Sequence, residues 1–159
     1  MDIITFEDLK TFMESSSWDK YKKKFPEKSI WLQQVMKRVG LSYFPDKKFK
    51  FSYLSDGMCD VVVAAVVAES VIQDVSYRFK WFGVKHGSVN HFLLFDIDSN
   101  LFIDLTAIQF SYVDKKPTNQ VLVFEFKDFN DLGYTFHPNQ VLCQKVIRET
   151  MNEYLSKTI

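Results

Sequence analysis

Cysteine is scarce: Cys59 and Cys143 are the two in 159 residues, which is no disulfide framework. Glycine and proline are also few, five and four, so disorder and low-complexity linkers are excluded. No charge sign dominates, because 20 Lys and Arg balance 20 Asp and Glu. That balance leaves no global basic field to hold nucleic acid or an anionic membrane by counterion release. The most apolar run, Val61 to Ala68, has eight residues, against the ~20 needed to span a bilayer. Met1 to Leu9 carries Asp2, Glu7 and Asp8 instead of the positive and apolar regions of a secretory signal. The expectation is one cytoplasmic domain, made in a reducing compartment, with neither a nucleic-acid nor a membrane partner.

Phenylalanine is abundant, 16 residues beside seven Tyr and three Trp. The pattern is helical from Thr5 to about Leu41, with Thr5 as N-cap and Ser15, Ser16 and Ser17 as a weak point. A second helix is expected from Glu27 or Lys28 to Val39, with Ile30, Trp31, Val35 and Val39 on one face and Gly40 as its stop. Lys22, Lys23 and Lys24 read as a solvated helix end. Phe49, Phe51 and Tyr53 alternate as a short strand, and Ser55 or Asp56 then caps a buried helix from Cys59 to Ser70. Period-two alternation over Val71 to Val84 predicts a half-buried strand. His91 to Ile97 and Leu101 to Phe110 form a hairpin about Asp98-Ser99-Asn100, and Val121 to Phe126 adds a strand. Pro138 to Leu155 closes the chain as a helix with Val141, Leu142, Lys145, Val146 and Tyr154 on its apolar face. The fold class is therefore α+β, a single domain over 1–159, divided into helical 1–44, helix-plus-sheet 45–137 and closing helix 138–159.

Three residues fall where chemistry is possible: Cys59 at a helix N-terminus, His91 on a strand and Asp104 on the next strand. Unpaired N–H groups and the partial positive charge of a helix N-terminus favour a thiolate, and the N–H of the thiol residue can hold an oxyanion. A hairpin loop centred between Ile97 and Asp98 sets His91 directly opposite Asp104, with Cβ atoms roughly 4.5–5.5 Å apart. A loop centred on Ser99 instead sets Asp104 against Leu94, and a bulge is then needed to restore the pair. With the pair formed, Asp104 orients His91 and His91 takes the proton of Cys59. A carboxylate among Leu101, Phe102, Ile103, Leu105 and Ile108 is costly to bury without such a partner.

Gly57-Met58-Cys59 opening an apolar helix, Asn90-His91-Phe92-Leu93-Leu94 on a strand, and Phe102-Ile103-Asp104-Leu105-Thr106 with Gln109-Phe110 resemble the transglutaminase-like branch of papain-fold cysteine enzymes. The spacings, 32 residues from Cys59 to His91 and 13 from His91 to Asp104, are similar to that branch, and the resemblance covers about Asp56 to Phe110. Met58 and Asp60 stand where the family often has an aromatic residue beside the nucleophile. The resemblance implies a papain-like core, a central buried helix packed on an antiparallel sheet. It also implies activities that include protein cross-linking, glutamine deamidation, peptide cleavage and acyl transfer. The aspartate segment looks most like small bacterial and phage-borne members, some of them similar to toxin or effector deamidases.

Plainer readings stand beside these. Cys59 alone is a small buried hydrophobe, His91 a satisfied strand histidine, and Asp104 a turn cap or a partner of Arg78. His86, in the His86-Gly87-Ser88 loop, is the competing base if that loop folds over Cys59. Two cysteines and three scattered histidines supply no paired zinc-ligand spacing, and no phosphate loop or G-x-S-x-G elbow is present, so neither metal nor cofactor is expected. The sequence thus predicts a cysteine hydrolase or acyl transferase acting on a protein or peptide through Cys59, His91 and Asp104. The alternative is a catalytically silent binding protein of the same fold, using exposed aromatics or an unpaired strand edge.

Overall fold

A computed structural model describes residues 15–43, 58–73, 77–107 and 121–158. The expected Thr5 cap and the Phe49 to Tyr53 strand lie outside these residues. Helix α1 is Ser16–Lys24, and Ser15, expected to weaken a helix, is its N-cap: the Ser15 hydroxyl accepts from Trp18 N–H at 3.1 Å. Lys22, Lys23 and Lys24 occupy its last turn, where positive charge complements the helix dipole. Helix α2, Pro26–Tyr43, starts on proline and buries Trp31, Leu32, Val35, Met36 and Val39, while Ile30 faces solvent. Gly40 does not stop it; the helix continues to Tyr43 with Gly40 buried, since packing offsets the ~1 kcal/mol that a mid-helix glycine costs.

Helix α3, Cys59–Ile72, buries every residue from Val61 to Val66 together with Ala68 and Glu69. Valine costs up to ~0.7 kcal/mol in helix propensity, but burial stabilises by about 1.5–3 kcal/mol per side chain, so burial wins. All sides are covered because α3 meets α2, the first two strands and the C-terminal helix. Its N-cap is Met58, which makes no side-chain capping bond; the expected Ser55 and Asp56 lie outside the described residues.

Strands β1 (Phe79–His86), β2 (Val89–Asp96), β3 (Leu101–Asp104), β4 (Leu122–Phe124) and β5 (Tyr134–Phe136) form an antiparallel sheet in the order β4-β3-β2-β1-β5. The strand expected over Val71 to Val84 starts only at Phe79, because α3 carries on through Ile72. Gly87, with φ of 62°, opens the two-residue β1–β2 turn. The strand expected from Leu101 to Phe110 ends at Asp104, whose own carboxylate captures the Thr106 N–H and draws the chain into a turn.

One sheet face carries Phe79, Leu94 and Ile103 into the core shared with the helices. The other carries Val84, Leu93, Phe102, Phe124 and Tyr134, closed by Phe129. Phe124 and Tyr134 sit on the two edge strands yet stack at 5.2 Å, so the sheet curls around this second, aromatic core. The last helix, α4 (Gln140–Thr158), buries Cys143, Ile147, Thr150 and Tyr154; Val141 is 77% exposed and Leu142 is exposed, so the expected face is rotated. Among the described residues no helix is long and apolar enough to cross a membrane. The molecule is α+β, with N-terminal helices, a central buried helix and a C-terminal helix.

Candidate active site

Cys59 is the first residue of α3 and is half-buried. The helical ladder begins with the bond from Val62 N–H to the Met58 carbonyl, so the Cys59 N–H lies ahead of it, among the groups a helix does not use internally. Asp60 adds an acidic side chain in the same turn.

His91 lies on β2 and Asp104 ends β3; each is only 1% exposed. They are bonded, His91 Nε2 to Asp104 Oδ2 at 2.8 Å. The predicted register is not the one observed. Leu94 faces Ile103 and Phe95 faces Phe102, which displaces the strands by two residues and leaves His91 diagonal to Asp104. Because side chains alternate with period two, an even displacement keeps both on one face, and diagonal neighbours remain within reach of long side chains. The Leu94–Asp104 alternative, which would have split the faces, does not occur.

Asp104 is supplied with donors on both oxygens. Oδ2 accepts from His91 and from the Tyr134 hydroxyl at 2.6 Å; Oδ1 accepts from Thr106 N–H at 3.0 Å and from its hydroxyl at 3.4 Å. Burial alone would raise its carboxyl, but the His91 charge and hydrogen bond, with hydrogen bonds from Tyr134 and the Thr106 N–H, hold it below the usual carboxylate range. For His91, burial alone would favour the neutral ring. The charge and hydrogen bond of Asp104 outweigh it, the hydrogen bond and charge of Cys59 add to them, and the imidazole is pushed up to about 10. A carboxylate can only accept, so Nε2 carries its proton toward Asp104 and Nδ1 is the ring nitrogen left for Cys59.

Arg78 pairs with Asp98 at 2.7 Å, not with Asp104. His86 ends β1 rather than lying in a loop, and it is buried with Nε2 3.1 Å from the Leu132 carbonyl and its ring edge-on to Tyr134 at 5.2 Å. Cys143 is buried against Gly83, and burial pushes its thiol up. Among the described residues no group of three His, Cys, Asp or Glu side chains is placed to hold a metal ion.

The sequence does not single out Tyr134. Its strand has three residues, too few for an alternation pattern to register; the available signal was Tyr134 and Phe136 alternating after Gly133. Elsewhere a cavity of about 500 Å³ opens between α1 and the β3–β4 edge, lined by Ser16, Lys20, Lys24 and Lys127 but by none of the three residues above. Comparisons of this chain with family models, with curated proteins and with solved structures find no match.

Proposed function

We propose that the protein is a cysteine-dependent hydrolase or acyl transferase with a papain-like core of the transglutaminase-like type, acting on an amide or thioester of a protein or peptide. The observation that carries this reading is the buried His91–Asp104 pair, with Cys59 close enough to add a hydrogen bond and charge to the imidazole. Cys59 Sγ attacks the carbonyl carbon and forms the S–C bond, while the His91 imidazolium holds at Nδ1 the proton the thiol has given up. The Cys59 N–H stabilises the resulting oxyanion. Collapse breaks the C–N bond of an amide or the C–S bond of a thioester, and His91 returns the proton to the leaving atom. Water or an amine then attacks the acyl-enzyme, gives its proton to His91, and Cys59 departs as the thiol. Water as acceptor makes this deamidation or peptide hydrolysis; an amine makes it cross-linking. Deamidation of glutamine is the narrower reading.

Iodoacetamide labelling between pH 6 and 8, localised by mass spectrometry, tests the assignment. Cys59 is expected to label faster than Cys143, and His91→Gln to slow it at least tenfold. Preferential labelling of Cys143, or a rate at Cys59 indifferent to His91→Gln, counts against an activated thiol. Those outcomes favour the second reading, a binding protein that keeps the fold without turnover. Its support is the exposed aromatic pair Phe126 and Phe136, 61% and 44% exposed and stacked at 6.2 Å.

A further inference from the structure

Tyr134 is held on every side. Gly133 approaches the His86 ring so closely that a Cβ there would lie 2.9 Å from His86 Nε2, and its φ of 92° suits glycine. The Tyr134 ring stacks on Phe124 at 5.2 Å and Phe129 at 5.8 Å, and lies nearly parallel to the His91 ring at 6.4 Å. Phenylalanine would fill this space as well, in a core that already holds Phe102, Phe124 and Phe129. What tyrosine adds is a hydroxyl, and a hydroxyl removed from water is costly unless bonded. Its bond, 2.6 Å to Asp104 Oδ2, has the length of a charge-assisted one.

We propose that Tyr134 is a positioning residue of the site: by donating to the same Asp104 oxygen that receives His91 Nε2–H, it shares that oxygen's charge between two donors and holds down the basicity of His91. Among the described residues, the titratable groups that bear on the pair include Cys59 from α3, Asp104 from β3, Tyr134 from β5 and, behind Tyr134, His86 from β1. The catalytic meaning rests on the thiol-enzyme reading. An imidazolium that holds its proton too firmly is a poor acid for the leaving group, because a catalytic acid works best with a pKa near the working pH. Two donors on Oδ2 weaken the hold of Asp104 on His91, and the two Thr106 donors on Oδ1 keep the carboxylate ionised and fixed in orientation.

The test is an NMR titration of the His91 imidazole in the full chain. Tyr134→Phe keeps the ring and removes the donor, and should raise the His91 midpoint by about half a pH unit or more. Site-specific 3-fluorotyrosine at position 134, a stronger donor of nearly the same size, should lower it. An unchanged midpoint in both folded proteins, or a shift in the same direction in both, overturns the proposal and leaves Tyr134 a packing residue. Should Tyr134→Phe fail to fold, the fluorotyrosine protein alone decides by the sign of its shift. The titration needs no turnover, so it is independent of iodoacetamide labelling. Labelling of Cys59 that ignores His91→Gln would overturn the catalytic reading, while the titration would still report on Tyr134.

Discussion

His91 and Asp104 form a charged pair in a part of the molecule from which water is excluded, so their protons are linked to folding. His91 is raised above its ordinary 6.5, so its contribution to stability is complete below about 6.5 and is lost as pH rises through about 10. Asp104 is lowered from 3.8, so its contribution is present above that value and is lost as pH falls through the depressed one. Stability from the pair is therefore greatest between about pH 4 and 6.5. In a Cys59→Ser background, which removes the thiol's own proton from the balance, unfolding free energy should fall by up to about 1.4 kcal/mol per pH unit between about pH 7 and 8.5. Urea titrations check it: His91→Gln in the same background should be nearly flat over that range, and equal slopes would show that His91 is not charged in the folded state. At this scale the sequence was informative. A carboxylate amid apolar strand residues needed a buried partner, and the histidine lay within hairpin reach. Thr106 and Tyr134 were not legible as partners, because a side chain's donors are assigned only when the chain around it has turned.

Among the elements, α4 docks on β1 through a close approach that only glycine allows. A Cβ on Gly83 would overlap the Cys143 sulfur and lie 2.8 Å from the Cys143 Cβ, while the Gly83 carbonyl accepts from His137 N–H and from the Gln140 side chain. Gly83→Ala should destabilise by about 1–3 kcal/mol as an overpacking change, seen as a lower urea midpoint. Adding Cys143→Ala should recover part of the loss, because the two side chains share one space. Additive effects would place the clash elsewhere. The apolar face of α4 was mis-set in sequence for the same reason. Val141 and Leu142 are as hydrophobic as Ile147, and only the docking of the helix onto α3 and Gly83 selects Cys143, Ile147, Thr150 and Tyr154 as the inward stripe. The strand from Leu101 was overextended because alternation cannot reveal a carboxylate that terminates its own ladder.

Across the whole molecule, buried polar groups tie the helical layer to the sheet. Lys28 on α2 donates to both Asp96 oxygens at 3.0 Å, Tyr21 on α1 donates to the same carboxylate at 2.9 Å, and the Phe25 ring lies 5.0 Å from the ammonium. On the far side of the helices Glu69 accepts from Tyr154, Arg38 and Gln73, joining α3 to α4 and α2. Asp96→Ala leaves the buried Lys28 ammonium to Asp98, 3.7 Å away, removes the acceptor of the Tyr21 hydroxyl, and should cost about 3–5 kcal/mol in chemical denaturation, whereas the double change Lys28→Met, Asp96→Leu should cost less. A double variant as unstable as the single one would mean that the ion pair is needed for the fold itself. Neutral overall charge, which in the sequence spoke only against nucleic acid and anionic membranes, in part reflects charges matched in such buried pairs.

The local pattern of the chain was enough to establish the α+β class, the buried helix opening at Cys59 and the hairpin, and it offered the shared face of His91 and Asp104 as one of two registers. Each depends on periodicity or composition within a few residues, and the shared face survives a two-residue error in register because side chains alternate. Tertiary structure alone decided the register itself, the curl that brings β4 and β5 together, and the arrival of Tyr134 at Asp104 from thirty residues along the chain. Those are outcomes of packing between distant segments, where the cost of every buried polar atom and the volume of every ring are settled together.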